Sequence, residues 1–131
     1  MVINQALLDK LTEEAKANPR LRKNYDLRNS KLDQSQRMLN AIEPGSDVPI
    51  HRHQKSSETI VSIRGKVVVE FYNELDRICS GAYELSPNGQ TVAVNIPAGE
   101  WHTVKSLEAN SVILEMKDGA YEPQGPVDVL D

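Results

Sequence analysis

The sequence predicts an all-β domain, an antiparallel sandwich or jelly roll, with one α-helix at its N-terminus. From residue 36 onward, short stretches rich in β-branched residues alternate with clusters of Gly, Pro, Asn and Asp. No helical pattern separates these stretches, whereas a parallel sheet needs crossover helices between its strands. Helical periodicity occurs only near the start of the chain, so we expect a single helix packed on a β domain.

The helix is predicted over residues 4–17. Apolar side chains recur there at the spacing of one helical face, at Ile3, Leu7, Leu8, Leu11 and Ala15. Asn18-Pro19 follows, and a proline just beyond the last periodic residue is typical of a helix end. The helix therefore has about four turns and one apolar face to bury.

Eight strands are predicted in the rest of the chain, each bounded by turn residues. Their spans are 36–42, 48–53, 58–64, 66–73, 78–85, 91–96, 101–106 and 111–117. We expect three segments along the chain. Residues 1–35 form the helix and a basic connecting segment packed on the barrel, residues 36–120 form the barrel, and residues 121–131 form a tail over its surface.

Composition excludes several classes of protein. A chain of 131 residues fits one domain, and its net charge of −4 argues against nucleic acid or an anionic membrane as a partner. No apolar run approaches the roughly 18 residues of a membrane helix, and the first residues lack the features of a signal peptide. We therefore expect a cytoplasmic protein. Cys79 is the only cysteine, which excludes an internal disulfide and fits a reducing compartment.

Basic residues are concentrated before the predicted barrel. From Lys16 to Arg37 there are seven basic residues and two acidic ones. One interpretation is a solvated face with salt bridges to an acidic barrel. The other is an anion clamp near the mouth of a pocket, for a phosphate or carboxylate on a ligand.

Two of the three histidines have an informative spacing. His51 and His53 are two residues apart, so in a strand both imidazoles leave the same face, with Cα atoms about 6.5–7 Å apart. Two imidazoles in this position can converge on one ion. Taken alone, such a pair is not specific for a metal site.

Two longer patterns frame the histidines. The first is Gly45, five residues, His51, one residue, His53, four residues, Glu58, six residues and Gly65; the second is Pro97-Ala98-Gly99-Glu100-Trp101-His102. They match the first cupin motif and the centre of the second, so the sequence resembles the cupin superfamily. Two positions depart from the second motif, which has Gly and Asn where this chain has Thr91 and Ser106. Neither position supplies a metal ligand.

The resemblance implies a cupin barrel, also called a double-stranded β-helix or jelly roll, that holds one divalent metal. The implied ligands are His51, His53, Glu58 and His102. Three neutral imidazoles and one carboxylate suit Fe, Mn, Zn, Ni, Co or Cu, and in an octahedral site they leave positions open for water or substrate.

The sequence is more narrowly similar to the WbuC-type cupin-fold metalloproteins. The similar stretches are Gln5-Ala6-Leu7-Leu8, residues 19–24 and residues 36–45, and the likeness extends from about residue 3 to 122. It implies a link with polysaccharide biosynthesis. Asn24, Arg37 and Asn40 are the candidate substrate-binding residues, because the strand carrying Arg37 and Asn40 is expected to enter the barrel beside the metal.

Several functions remain compatible with this site. The first is a metal-binding cupin that acts on a small oxygen-rich molecule such as a sugar or nucleotide-sugar, as an isomerase or epimerase or as a dioxygenase. The alternatives are a non-catalytic module that binds a sugar or organic acid, and a structural metal in a homodimer. The sequence does not identify a catalytic residue, although Glu115, Tyr72 or Lys66 would serve if its strand turned it inward.

Overall fold

The computed structural model describes residues 1–130 as two packed β-sheets with one α-helix. The helix α1 spans Gln5–Ala17. The strands are β1 (Arg22–Asp26), β2 (Ser35–Ile42), β3 (Ile50–His51), β4 (Glu58–Arg64), β5 (Val67–Tyr72), β6 (Cys79–Leu85), β7 (Ala93–Ile96), β8 (Trp101–Ser106), β9 (Ser111–Asp118) and β10 (Val129–Leu130), with a 3₁₀ turn at Pro126–Asp128. No helix within residues 1–130 is long and apolar enough to cross a membrane.

Each sheet has five antiparallel strands. The order is β1-β2-β9-β4-β7 in the first sheet and β10-β3-β8-β5-β6 in the second. Strands that are neighbours in sequence often lie in different sheets, as expected of a jelly roll. The predicted all-β jelly roll with one N-terminal helix is confirmed.

Two strands were not predicted from the sequence. β1 lies in the basic connecting segment and pairs with β2, from Arg22 opposite Ile42 to Asp26 opposite Met38. β10 lies in the tail and pairs with β3. β1 is mostly polar and partly exposed, and β10 has two residues, so neither shows the alternation on which strand prediction depends. Both strands form because an existing sheet edge offers unpaired backbone groups.

The main core lies between the two sheets. Its buried side chains are Ile42, Ile60, Val67, Val69, Leu85, Ile96, Val104 and Ile113. Ile60 and Val104 of this core also line the cavity that contains the candidate site, together with polar side chains.

The helix α1 packs on the outer face of the first sheet. Leu8, Leu11 and Ala15 are buried there against residues of β2 and β9. Arg64 adds polar contacts, since its guanidinium lies 2.8 Å from both Asp9 Oδ1 and Thr12 Oγ1. Strict alternation along β4 would turn Arg64 inward, but the register shifts after Ser62 and places this side chain under the helix.

Candidate metal centre

The structure brings all three histidines and Glu58 to one point between the sheets. His51 on β3 is directly opposite His102 on β8, and His53 follows two residues after His51. Glu58 is the first residue of β4, in the opposite sheet. Four atoms that can ligate a metal, one from each residue, lie within 4.8 Å of one another. The cluster is therefore built from both sheets.

Backbone carbonyls orient two of the imidazoles. Nδ1 of His51 lies 2.8 Å from the Pro49 carbonyl oxygen, and Nδ1 of His102 lies 2.9 Å from that of Glu100. A carbonyl only accepts, so each Nδ1 carries the hydrogen and each Nε2 keeps a lone pair. This arrangement directs ring nitrogens toward a metal and fixes the tautomer that binds it.

Two polar atoms at the centre of the cluster are buried without a hydrogen-bond partner: Glu58 Oε2 and His102 Nε2. The carboxylate oxygen lies 3.0 Å from Nε2 of His53 and 3.5 Å from Nε2 of His102, but neither approach has the geometry of a hydrogen bond. Buried polar atoms in folded proteins nearly always have a partner. Three imidazole nitrogens and one carboxylate fit a divalent transition metal, which would satisfy both atoms at once.

Burial holds His51 in the neutral form that a metal ligand requires. Burial, and next the proximity of His102, lower the pKa of His51 to about 4, so its ring is neutral at physiological pH.

The cluster opens into a cavity of about 370 Å³. The residues around the four candidate ligands are Arg22, Asn24, Met38, Asn40, Val48, Ile60, Val104, Glu115, Lys117, Tyr121, Glu122 and Gln124. An adjoining cavity of about 320 Å³ shares Met38, Glu115 and Tyr121 with the first, which extends the space available to a ligand. Volumes of this size hold small organic molecules.

The polar wall of the cavity is the inner face of the first sheet. In the pairing of β4 with β9, Glu58 is opposite Lys117 and Ile60 is opposite Glu115. Glu115 lies near the carboxyl group of Glu58 and the side chain of Asn40. Loss of hydration, and next the charge of Glu58, raise the pKa of Glu115 well above that of an ordinary carboxyl.

The predicted substrate-binding residues occupy different places. Asn24 and Asn40 are opposite each other on β1 and β2, and both line the cavity with the cluster. Arg37 lines the adjoining cavity and not this one. Its guanidinium pairs with Asp33 at 2.9 Å and donates to the Ser35 carbonyl at 3.0 Å, so it is already engaged.

Of the three residues considered for proton transfer, Glu115 faces the cluster. The Tyr72 hydroxyl instead donates to Glu70 at 3.0 Å, away from the cavity. Lys66 lines a separate cavity at the β4–β5 turn. Sequence analysis did not single out Lys117, although alternation along β9 places it on the same face as Glu115.

Three of the seven basic residues from Lys16 to Arg37 pair with nearby carboxylates. Arg28 pairs with Asp26 at 2.7 Å, and Lys23 lies 3.9 Å from Glu14. These pairs and that of Arg37 agree with the salt-bridge interpretation of the segment, although the acidic partners lie near the segment itself and not on the barrel. Arg22 differs, because it lines the cavity and pairs with no carboxylate of residues 1–130 within 4.0 Å.

The tail forms part of the rim of the cavity. Tyr121, Glu122 and Gln124 line its opening. The tail is attached on both sides of this stretch, where the Gln36 amide donates to the Gly119 carbonyl at 2.8 Å and Asp128 pairs with Arg52 at 3.1 Å. A ligand that reaches the cluster therefore passes beside these three side chains.

Comparison with known proteins identifies the family of the chain. Residues 3–82 match the family described as "Domain of unknown function (DUF6016)". The chain belongs to this family. No curated protein matches this DUF6016 chain.

Solved structures similar to the DUF6016 chain have the cupin fold. CapF from Staphylococcus aureus, described as a capsular polysaccharide assembling protein, is 22% identical over 81% of this chain and 29% of its own length, with a TM-score of 0.66. KdgF from Halomonas sp. is 16% identical over 79% of this chain and 84% of its own length, with a TM-score of 0.62. An oxalate oxidase in complex with glycolate is 14% identical over 80% of this chain and 54% of its own length, with a TM-score of 0.65. At these identities the likeness shows the fold, and the predicted cupin fold is confirmed.

Proposed function

We propose that the chain is a metal-dependent cupin enzyme acting on a small oxygen-rich molecule, with His51, His53, Glu58 and His102 as the ligands of one divalent transition metal. The observation that carries the proposal is the burial of Glu58 Oε2 and His102 Nε2 without hydrogen-bond partners where the four ligand atoms meet. Fe, Mn, Zn, Ni, Co and Cu all suit this donor set.

The surroundings of the cluster favour proton transfer as the reaction, and hence an isomerase or epimerase over a dioxygenase. When bound, the metal would supply Lewis acidity to an oxygen of the substrate. Glu115 lies in the same cavity as the proposed metal ligands and Asn40. A metal ion beside Glu115 would favour its ionised form, and this carboxylate would accept a proton from a carbon next to a carbonyl. The resulting acid would return that proton at another position.

A sugar or nucleotide-sugar is the substrate class we propose. The main cavity of about 370 Å³ and the adjoining cavity of about 320 Å³ give room for a sugar ring and a substituent. The likeness to CapF, a protein described as assembling capsular polysaccharide, supports this class, as does the narrower resemblance to WbuC-type proteins.

Metal analysis tests the site directly. The purified protein is expected to hold close to one transition metal per chain, and Glu58→Gln is expected to lose most of it, because a neutral amide is a poor ligand for these ions. Glu100→Gln is the matched control, since Glu100 is exposed just before β8. Full occupancy in Glu58→Gln would contradict the assignment.

Hydrogen exchange into the substrate tests the reaction. The metal-loaded protein is incubated in D₂O with a panel of sugar phosphates and nucleotide-sugars, and proton NMR follows the loss of carbon-bound hydrogen. Exchange in the wild type that falls at least about 100-fold in Glu115→Gln is the expected result. Ligand binding without any exchange would contradict the enzyme proposal and favour the non-catalytic binding module.

A further inference from the structure

Two cations line the cavity without a carboxylate partner. Arg22 donates to Ser46 Oγ at 3.3 Å and to the Asp47 carbonyl at 3.0 Å. The Nζ atom of Lys117 lies 3.5 Å from Nδ1 of His53. Among residues 1–130, no carboxylate oxygen lies within 4.0 Å of either cationic group. A charge that is partly buried and unpaired is costly unless a ligand compensates it.

The carboxyl groups of the cavity do not balance these cations. Glu58 is the proposed metal ligand, and its charge is opposed by the ion itself. Glu115 adds at most one negative charge to the cavity. Glu122 lies at the exposed rim, 3.4 Å from Lys55. With a divalent metal bound, the cavity therefore carries an excess of positive charge.

We propose that this cavity binds a small anionic ligand, whose carboxylate or phosphate group is held by Lys117 and Arg22 while its hydroxyl or carbonyl oxygens face the four-residue cluster. The inference rests on the proposed function, because the metal site determines where the neutral oxygens bind. It adds the charge of the ligand and the residues that select it.

Metal binding makes the Lys117 ammonium available to the ligand. When Nε2 of His53 binds a metal, its Nδ1 carries the hydrogen and no longer accepts from Lys117. The ammonium then has donors free for an oxyanion. Because Lys117 is opposite Glu58 in the sheet, that oxyanion binds next to the ion.

A second, independent feature also indicates a polar ligand. The Oδ1 atom of Asn40 is buried without a hydrogen-bond partner. The Asn40 side chain lines the cavity together with Arg22, Lys117 and the cluster. A hydroxyl of the ligand would supply its missing donor, so a hydroxylated anion satisfies the cations and Asn40 together.

Calorimetric titration of the Zn²⁺-loaded protein tests this inference. The probes are D-glucuronate, D-glucose 6-phosphate and D-glucose, which share a sugar ring and differ in charge. The anionic probes are expected to bind at least about 10-fold more tightly than glucose, the size expected for one charge-assisted hydrogen bond. The tighter of the two anions identifies the oxyanion as carboxylate or phosphate.

Variants of Lys117 separate its role from metal affinity. Lys117→Met is expected to weaken binding of the preferred anion about 10-fold without changing metal content, and Lys117→Arg is expected to restore it. Lys10→Met removes the same charge from an exposed helix position and is the control. Equal affinity for glucose and both anions, no binding of any probe, or anion binding unchanged in Lys117→Met would overturn the inference.

Failure of the proposed function gives a different result. In that case the protein would not bind Zn²⁺, and the titrations are repeated without metal. Anion binding that depends on Lys117 would then still support the anion subsite. If no anion binds in a way that depends on Lys117, the proposed anion subsite is wrong as well.

Discussion

At the scale of single residues, burial of the His51 imidazole affects how stability depends on pH. Its pKa is lowered to about 4 in the folded protein, below the ordinary value near 6.5. Between these two values the unfolded chain binds a proton that the folded chain does not. The free energy of unfolding of the metal-free protein therefore rises with pH across this window.

The contribution of His51 is expected to be about 2 kcal/mol between pH 5 and pH 7. The raised pKa of Glu115 acts in the opposite sense, so the useful quantity is the difference between the wild type and His51→Gln. Urea unfolding in the presence of a chelator at both pH values measures it. An identical change in both proteins would show that His51 does not titrate in this way.

Some site residues could be predicted from the sequence, because local spacing or a motif indicates which side chains meet. The spacing of two residues between His51 and His53 places both on one side of the chain, and the motif positions identified Glu58 and His102. The unpaired state of Arg22 and Lys117 could not be inferred in the same way. It depends on which carboxylates the fold brings near. Arg37 lies in the same basic segment as Arg22, yet Arg37 has Asp33 as its partner.

At the scale of elements, the turn between β4 and β5 depends on Gly65. Its φ is +78°, a left-handed conformation that glycine adopts without strain. A Cβ atom at this position would lie 2.8 Å from the Cα of Ser111 on β9. The turn therefore has neither the backbone conformation nor the space for a side chain.

Gly65→Ala is expected to destabilise the protein by about 2–4 kcal/mol, because backbone strain and steric overlap add at one residue. Gly125→Ala is the matched control, since its φ is −86° and a Cβ there meets no atom within 4 Å. Urea unfolding of both variants measures the two effects. Equal stability of the variants would contradict the steric argument.

Strand prediction succeeded where an element has its own alternation or turn residues. β4, β8 and β9 are predicted to within one residue at each end, and each is followed by turn residues. β1 and β10 were missed because edge pairing, and not local sequence, forms them. β3 was predicted too long, since only Ile50 and His51 are paired in the sheet.

At the scale of the whole molecule, a homodimer stays a prediction. β6 is an edge strand of the second sheet, and the side chains of Leu75, Ile78 and Tyr83 on this strand or the turn before it are 94%, 64% and 51% exposed. Association would bury them and cover the edge. Sedimentation equilibrium is expected to give twice the chain mass of 14.6 kDa. The Tyr83→Lys variant is expected to have a lower mass, closer to that of one chain. A wild-type mass of one chain would reject the dimer.

Metal binding is expected to stabilise the fold as a whole. A ligand that binds only the folded state at 100 times its Kd adds about 2.7 kcal/mol, which corresponds to roughly 10 °C in Tm for a domain of this size. Calorimetric melting with Zn²⁺ and with a chelator measures the shift. His102→Ala is expected to show little shift, and a shift equal to that of the wild type would contradict binding at this cluster.

A metal in the cluster would connect the two sheets, in a chain of 131 residues that has one cysteine and so no internal disulfide. Glu58 belongs to one sheet, while His51 and His102 belong to the other, so an ion between them is a cross-link through the open end of the sandwich. The hydrophobic core between the sheets also holds them together. Removing the ion would let the two layers separate from the mouth inward, and backbone amides of β3 and β4 would exchange with solvent before those of β5.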